Sequence, residues 1–484
     1  MCDCIFIIVR SIDVINLKEY NYSYEDGRLT RSTECSVTLN SSELVTKKNL
    51  VNSILYYYDD EGELTKKRII PVTGSEQVIY YETPDNENTV VKFTAGGKVV
   101  TSHSKTDSFG RKVFDELQLG TGFVSRQFDY HLGEISDAHS ENGKLKSTPT
   151  TQLISRITMS DGRTLDYEYD AEERITKVVD TYYTVSSTGQ IEEVVDTTVY
   201  TYDALGQLLS ETLNGTVVNS MTYDNYGNIL TKNGISYTYD TTWKDKLVSY
   251  NGQTITYDAQ GNPTSYLGNT LTWEKGRQLK QFTKTDGTAV SYTYNANGIR
   301  TSKTVNGVLH TYTLDGTKIL SETWGENTLI PLYDNEDEVC GIIYNDTPYY
   351  FFKNQQGDVV EIVDANADVV ARYTYDAWGK LIAVKNLAGD YITGTTNIAY
   401  INPYRYRSYY YDEETKLYYL QSRYYDAEVG RFVNGDKLMG ANIDFATYDL
   451  YAYCGNCPVD RYDNGGYAWK SIWKKVKKTV RKVL

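Results

Sequence analysis

Tyrosine–aspartate pairs followed by a glycine recur along the chain, and they limit what it can fold into more than any other feature. The unit reads Tyr-Thr-Tyr-Asp, two or three residues, Gly-Asn or Gly-Gln, then an apolar residue. Clear copies begin at Leu165, Val199, Met221, Ser236, Ile255, Ser291 and Arg372. Degenerate copies begin at Tyr22 and Thr106. A unit of this size cannot bury its own apolar face, so the copies must stack into a continuous sheet.

Each unit has the pattern of a β-hairpin. Ser236–Tyr239 alternates with the period of two that marks a strand. The following Asp, Asn and Gly residues favour a turn, because Gly adopts a positive φ and Asp or Asn bonds to nearby backbone. A second alternating segment, such as Asn228–Thr231, comes next. The chain has 47 tyrosines and 11 phenylalanines. Tyrosine combines strand propensity with a polar hydroxyl, so this composition suits sheets with one partly solvent-exposed face. The sequence therefore predicts an all-β protein whose Tyr-Asp pairs are structural.

Charge and composition exclude several classes of protein. The chain carries −15 overall, whereas residues 468–484 carry +7 without an acid, which leaves −22 on residues 1–467. An acidic body of this kind argues against nucleic acid as its partner. No stretch approaches the length of a membrane span. The N-terminal segment has a short apolar run without a preceding basic region, so no signal peptide is predicted.

Motifs for cofactor or metal chemistry are not found along the chain. There is no Walker loop, dinucleotide fingerprint or HExxH, and the four histidines have no ligand spacing. Cys454 and Cys457 have CxxC spacing without a second pair, so we interpret them as a loop holding two thiols. The sequence predicts no cofactor and no metal.

The repeat resembles the RHS/YD repeat, and the resemblance is strongest after Asn402. There NPYRYRSYYYDEETKLYYLQSRYYDAEVGRFVNGD is similar to the RHS repeat-associated core module, and DLYAYCGNCPVDRYDNGG is similar to its closing segment. The resemblance implies YD hairpins coiling into a hollow β-shell that holds a C-terminal toxic polypeptide. It points to the shell of a bacterial polymorphic toxin of the wall-associated type. Shells of this family are built from longer chains, so we expect an incomplete one here.

Four segments follow from the repeat and the resemblance. We expect a degenerate β-rich repeat region (1–150), a YD-repeat sheet (151–400), the core module (401–467) and a basic tail (468–484). In the tail, Trp469, Ile472, Trp473 and Val476 recur at helical steps between lysines. That spacing predicts an amphipathic helix. The tail is interpreted as the start of a payload, with a helix on an anionic membrane surface or a solvated end as alternatives.

The resemblance also implies an aspartic autoprotease in the core module, which cuts after a motif of the form PxxxxDPxGL. Pro458, Asp463 and Gly466 agree with this motif. Asn464 stands in place of its second proline and Tyr467 in place of its leucine.

The partner aspartate of the family follows a GRF segment, and Asp436 follows Gly430-Arg431-Phe432 here. Lys437 stands where the family has a proline. We therefore predict Asp436 and Asp463 as the catalytic pair, Arg431 as motif support, and a cut between Tyr467 and Ala468. Two carboxylates at close range cannot both ionise readily, so one can activate water while the other polarises the scissile carbonyl.

Alternatives remain open on the residues alone. Both aspartates can be turn caps of an inactive module, and other carboxylates can replace them, namely Asp426, Asp444, Asp449 and Asp460. The chain can also be a non-enzymatic surface protein that binds carbohydrate or a cell-wall partner, or an inactive remnant. Under the toxin hypothesis the partners are the chain's own payload and an immunity protein. Its location is then secreted or on the surface of a bacterium.

Overall fold

The computed structural model shows an almost wholly β protein. Among the described residues the one α-helical turn is Ile398–Ile401, and no helix there is long and apolar enough to cross a membrane. The described residues are 6–13, 18–39, 45–71, 76–82, 87–95, 98–119, 122–133, 140–141, 144–145, 150–334, 336–436, 449–463, 465–466 and 469–471. The predicted all-β fold is confirmed.

The described strands follow one another along the chain. As far as residue 266 they are Phe6–Asp13, Lys18–Glu25, Arg28–Leu39, Val45–Tyr58, Leu64–Pro71, Gln77–Glu82, Asn88–Ala95, Lys98–Thr106, Lys112–Leu119, Gly122–Leu132, Ser140–Glu141, Lys144–Leu145, Thr150–Met159, Thr164–Tyr169, Ile175–Val185, Ile191–Tyr202, Leu208–Leu213, Thr216–Tyr223, Ile229–Lys232, Ile235–Tyr239, Leu247–Tyr250, Gln253–Thr254, Thr256–Tyr257 and Pro263–Tyr266. After residue 266 they are Asn269–Glu274, Gln278–Thr283, Ala289–Tyr294, Arg300–Val305, Val308–Asp315, Lys318–Trp324, Asn327–Tyr333, Val339–Tyr344, Thr347–Lys353, Val359–Val363, Val369–Tyr375, Leu381–Lys385, Tyr410–Asp412, Leu417–Tyr419, Tyr424–Asp426, Arg431–Phe432, Arg461–Asp463 and Trp469–Ser471.

The chain forms two compact units. The first comprises Met1–Ser104, Glu116–Phe123 and Ala289–Tyr349, and the second comprises Lys105–Asp115, Val124–Thr288 and Tyr350–Leu484. Within each unit, strands pair antiparallel with the next strand along the chain. Examples are Lys18–Glu25 with Arg28–Leu39 in the first unit and Ile191–Tyr202 with Leu208–Leu213 in the second. The repeats are therefore hairpins, as predicted, including the degenerate copy at Tyr22.

In most repeats an aspartate closes the hairpin turn. The main-chain N–H of Asp203 donates to the Gln207 carbonyl, and its Oδ1 accepts from the N–H groups of Leu205 and Gln207 at 2.9 and 2.8 Å. Gly206 completes the turn at a φ of +79°, a conformation that glycine adopts without steric cost. The same carboxylate pattern recurs at Asp107, Asp170, Asp224, Asp258, Asp334, Asp364 and Asp376.

The tyrosine of each pair ties its repeat to an earlier strand. The Tyr223 hydroxyl donates to the main-chain carbonyl of Leu208 at 2.6 Å, and Leu208 is the first strand residue after the preceding turn. Equivalent bonds run from Tyr202 to Ile175, Tyr239 to Ile229, Tyr257 to Leu247 and Tyr375 to Val359. The Tyr-Asp pair thus makes both the turn and the link between hairpins, which is why it recurs.

The predicted core module (401–467) lies in the second unit, and its described residues have a densely packed aromatic interior. Its four-stranded sheet runs from Tyr410 to Phe432, and the rings of Tyr425 and Tyr453 stack at 4.0 Å between centroids. The Tyr425 hydroxyl donates to the carbonyl of Trp378, a fully buried residue of the last repeat. The module is therefore packed directly onto the repeats.

The tail is described only at Trp469–Ser471, where it is a strand rather than the predicted helix. These residues pair antiparallel with Arg461–Asp463. The edge of the strand Arg461–Asp463 offers hydrogen-bond partners to their main-chain groups. A helix would first have to form its first turn, which is unfavourable. For these three residues the helix prediction is wrong, and residues 472–484 lie outside the described part of the chain.

Removing the Tyr223 hydroxyl tests the link between hairpins. In Tyr223→Phe the Leu208 carbonyl loses its partner, and we expect the free energy of unfolding to fall by about 1 to 3 kcal/mol. Guanidinium titration measures this change. The matched control is Tyr226→Phe, whose ring is 62% exposed, and it should unfold like the wild type. Equal losses in both variants would contradict the role given to Tyr223.

Candidate functional site

Asp436 and Asp463 converge on one guanidinium nitrogen. Arg423 Nη2 lies 2.9 Å from Asp463 Oδ2 and 3.2 Å from Asp436 Oδ2. The side chains of Asp463, Arg423 and Asp436 are only 2%, 6% and 13% exposed. The two aspartates selected from the sequence therefore lie together in a largely buried site. Their close approach is stabilised by a cation between them, which offsets the repulsion of two carboxylates.

Neighbouring elements hold each of the three side chains. Asp463 ends the strand Arg461–Asp463, and the main-chain N–H of Asp436 donates to the Leu450 carbonyl at 2.9 Å. Arg423 precedes the strand Tyr424–Asp426, and its guanidinium carbon lies 3.5 Å from the ring centroid of Phe432. The site thus rests on strands and on an aromatic face, so that it has little freedom to rearrange.

Tyr409 holds the backbone of Asp463 on both sides. Its hydroxyl donates to the Asp463 carbonyl at 2.8 Å and accepts from the Asp463 main-chain N–H at 2.9 Å. The Tyr453 hydroxyl donates in turn to the Tyr409 oxygen at 3.2 Å. These two phenols therefore fix the position of the Asp463 main chain, from which its carboxylate extends.

Gly466 approaches the site through its carbonyl, which accepts a hydrogen bond from Arg423 Nε at 2.6 Å. A Cβ atom at this position would lie 2.6 Å from Ser422 Oγ and 2.7 Å from the Leu420 carbonyl oxygen. The expected cut between Tyr467 and Ala468 falls on residues outside the described part of the chain, as do Asn464 and Lys437. Gly466, the residue before Tyr467, is nevertheless bound to the same arginine as both aspartates.

Arg431 joins the core module to the repeats, whereas Pro458 is held by a residue of the module itself. Arg431 Nη2 donates to Asp449 Oδ1 at 3.0 Å and to the Asp245 carbonyl at 2.8 Å. The Pro458 carbonyl accepts from the Arg407 guanidinium. Their role is structural support, in keeping with their place in the motif rather than in the chemistry.

The alternative carboxylates have partners of their own. Asp426 Oδ2 accepts from the Tyr266 hydroxyl at 3.0 Å, Asp449 binds Arg431, and Asp460 Oδ1 accepts from the Ile175 main-chain N–H at 2.9 Å. These contacts cap turns and attach the module to repeats. Asp444 lies outside the described residues. Of the candidates that are described, Asp436 and Asp463 are the pair joined by one cation.

The CxxC segment forms a buried 3-10 turn, Cys454–Asn456. Cys457 Sγ donates to Asp460 Oδ2 at 3.5 Å, and burial raises the pKa of the Cys457 thiol to about 12. Burial also raises the pKa of Cys454. A thiol that stays protonated is a poor nucleophile and metal ligand. The structural interpretation of this segment is therefore favoured.

Sequence reasoning did not select Arg423, Ser422 or Tyr409. All three lie inside the stretch that resembles the core module, in RSYYY and QSRYY, without a spacing that marks them. Their roles depend on contacts with residues 40 to 54 positions further along the chain.

This chain is similar to one known protein family and to several known proteins. The family model of the Teneurin YD-shell matches residues 150–459. The tRNA3(Ser)-specific nuclease WapA of Bacillus spizizenii is 36% identical over 284 residues, which are 56% of this chain and 12% of that protein. The double-stranded DNA deaminase toxin A of Burkholderia cenocepacia is 25% identical over 82% of this chain and 26% of its own length. The chain thus spans about an eighth of the WapA relative and about a quarter of the deaminase toxin.

Solved structures of similar fold include two TcdB2-TccC3 complexes. The crystal structure of TcdB2-TccC3-Cdc42 matches 96% of this chain and 23% of its own, with a TM-score of 0.58 at 16% identity. The crystal structure of TcdB2-TccC3-TEV matches 93% of this chain and 23% of its own, with a TM-score of 0.59 at 17% identity. At these identities the likeness concerns the fold alone.

Asp460 gives a pH dependence that can be measured. Burial raises its pKa from 3.8 to about 6. Folding therefore favours the protonated form, and its contribution to stability is present below about pH 4 and lost as the pH rises through 6. Relative to Asp460→Asn, the wild type should lose about 2 to 3 kcal/mol of unfolding free energy between pH 4 and 6. Guanidinium titration of both proteins at several pH values measures this; parallel stability curves would contradict it.

Proposed function

Because the chain belongs to the Teneurin YD-shell family, we propose that it is the shell and carrier portion of a bacterial polymorphic toxin, which encloses a C-terminal payload and releases it by aspartic autoproteolysis after Tyr467. That it is an RHS/YD shell of a toxin-like protein follows from the family match and from its likeness to WapA nucleases. Enclosure, cleavage and release are the steps proposed.

One observation carries the cleavage step. A single arginine binds Asp436, Asp463 and the carbonyl of Gly466, the residue immediately before Tyr467. Two aspartates that only cap turns need main-chain N–H groups as partners. They do not need a buried arginine that also binds the segment before the expected cut. This arrangement supports an active site whose substrate is its own chain.

The proposed reaction is the hydrolysis of one peptide bond. One carboxylate of the pair takes a proton from water, and the hydroxide attacks the carbonyl carbon of Tyr467. Arg423 carries the positive charge nearest to the pair, and it stabilises the negative charge that develops as the carbonyl becomes tetrahedral. The C–N bond then breaks, the amine of Ala468 takes a proton from the protonated carboxyl, and Tyr467 is left with a new carboxylate.

The other parts of the proposal concern location and partners. Two of the similar proteins are Bacillus nucleases and another is a Burkholderia deaminase toxin, so we propose a role in competition between bacteria, with the protein secreted or attached to the cell wall. Its partners are then its own payload and a cognate immunity protein. A surface protein that binds carbohydrate without cleaving itself is the competing function.

Intact mass under denaturing conditions tests the cleavage. The wild-type chain should appear as two species divided between Tyr467 and Ala468, because denaturation frees a fragment that would otherwise stay bound. Asp436→Asn and Asp463→Asn should each remain whole. The control is Asp26→Asn, an exposed aspartate that should leave the cleavage unaffected. A wild type that stays whole would instead favour a silent scaffold or a surface-binding protein.

Arg423→Lys separates the charge of the arginine from its geometry. Lysine keeps the cation but cannot reach both carboxylates and the Gly466 carbonyl through a planar fork. We expect the rate of cleavage to fall by at least about a hundredfold. A time course of fragment appearance after refolding measures the rate. Cleavage at the wild-type rate would show that Arg423 is not part of the machinery.

A further inference from the structure

Three ionisable side chains lie buried where earlier repeats of the second unit meet its last repeat. Glu211, Asp376 and Lys232 are only 2%, 5% and 4% exposed. The amide of Asn219 donates from Nδ2 to Glu211 Oε2 at 2.7 Å and to Asp376 Oδ2 at 3.1 Å. The main-chain N–H of Ala377 also donates to Glu211 Oε2, at 2.9 Å. One amide nitrogen therefore brings two carboxyl groups together away from solvent.

Lys232 extends the same group to the core module. Its Nζ donates to the main-chain carbonyls of Ala427 and Glu428 at 3.0 and 3.1 Å. The same atom lies 3.8 Å from Asp376 Oδ2. Earlier repeats, last repeat and core module are thus joined at one buried point.

The charges within this group balance when one of the two carboxyl groups carries a proton. Lys232 supplies one positive charge, and the residue opposite Glu211 in the neighbouring strand is Tyr200, a phenol whose pKa burial raises further. A buried charge without a partner is costly, and a carboxyl group avoids that cost by binding a proton. Burial, and next the charge of Asp376, raise the pKa of Glu211 to about 8.

A cavity in the same unit gives water access to the carboxyl pair. Asp376 and Ala377 line this cavity, which has a volume of about 300 Å³. That is the space of about ten water molecules. Ala388, which is exposed, lines the cavity as well, so the space extends to the surface. The pair can therefore exchange a proton while the unit stays folded.

We infer that Glu211, Asp376 and Lys232 form a proton-controlled latch that holds the core module on the repeats. With one proton on the carboxyl pair, the remaining carboxylate is matched by Lys232 and the latch is closed. Loss of that proton leaves a second negative charge in the interior, and separation of the segments relieves it because water then reaches the carboxylates. The latch acts on the docking of the module and is independent of the proposed cleavage.

The latch gives the docking a pH dependence of defined sign. The docked state raises the pKa of Glu211 from 4.5 to about 8, so it favours the protonated form. The contribution of this group is fully present below about pH 4.5 and is lost as the pH rises through 8. Asp460, whose pKa is raised to about 6, contributes in a lower range, and comparison of variants that all retain Asp460 cancels its part.

Hydrogen exchange of the full chain tests the latch, with each rate divided by the intrinsic rate at the same pH. The reporters are the main-chain amides of Ala377 and Arg407, which donate to the carboxyl groups of Glu211 and Asp358. Glu211→Gln keeps the shape of the neutral acid and cannot ionise. Between about pH 6 and pH 9, protection of both amides should fall at least about tenfold more in the wild type than in Glu211→Gln.

Asp376→Asn and Glu192→Gln complete the test. Asp376→Asn leaves Lys232 matched by Glu211 alone, so its protection should fall no more than that of Glu211→Gln. Its Oδ1 can still close the turn, as that of Asp376 does. Glu192→Gln removes an exposed carboxylate and should behave like the wild type.

Two results would overturn the latch. One is an equal loss of protection in the wild type and in Glu211→Gln. The other is the full wild-type loss in Asp376→Asn, and this comparison decides the matter if Glu211→Gln does not fold.

Discussion

The hydrogen bond from a repeat tyrosine to a main-chain carbonyl of the preceding hairpin is the interaction on which the rest of the structure depends. A two-stranded hairpin is marginal by itself, and each such bond joins it to an earlier one. Tyr202, Tyr223, Tyr239 and Tyr257 form an unbroken series of these links through successive hairpins. The adjacent aspartate closes the turn that brings the next tyrosine into position.

The core module packs against the same repeats. Charged groups at this boundary are buried in pairs, as in Arg407 with Asp358, where Arg407 Nη1 lies 3.0 Å from Asp358 Oδ1. Such pairs add little net stability, but breaking one leaves an uncompensated charge, so they fix how the segments meet. Arg407 also binds the Pro458 carbonyl, which leads the chain toward Asp463. Chemistry at the aspartates of the module requires that the module is held rigidly against the repeats.

The aspartate pair differs from two carboxylates that simply share a proton. Arg423 lies between them and extends to the Gly466 carbonyl, so the two aspartates and the main chain before the expected cut are held by one planar side chain. This linkage makes the geometry of the aspartate pair depend on the position of Gly466. It also explains how a module whose signature departs at residues 437, 464 and 467 retains its aspartates in register: the contacts that assemble the site are made by other residues.

The sequence by itself determined the hairpin repeat and the all-β class, because period-two alternation and Asp-Gly turns are local signals. A family motif, also local, selected the two aspartates as candidates. The sequence could not determine that Arg423 joins Asp436 to Asp463, that Ser422 holds Gly465 and Gly466, or that residues 469–471 are a strand. It also did not indicate that Ala289–Tyr349 belongs to the same unit as Met1–Ser104. These facts depend on contacts between residues distant in the chain, and only tertiary packing decides which of many equivalent tyrosines, arginines and strand edges meet.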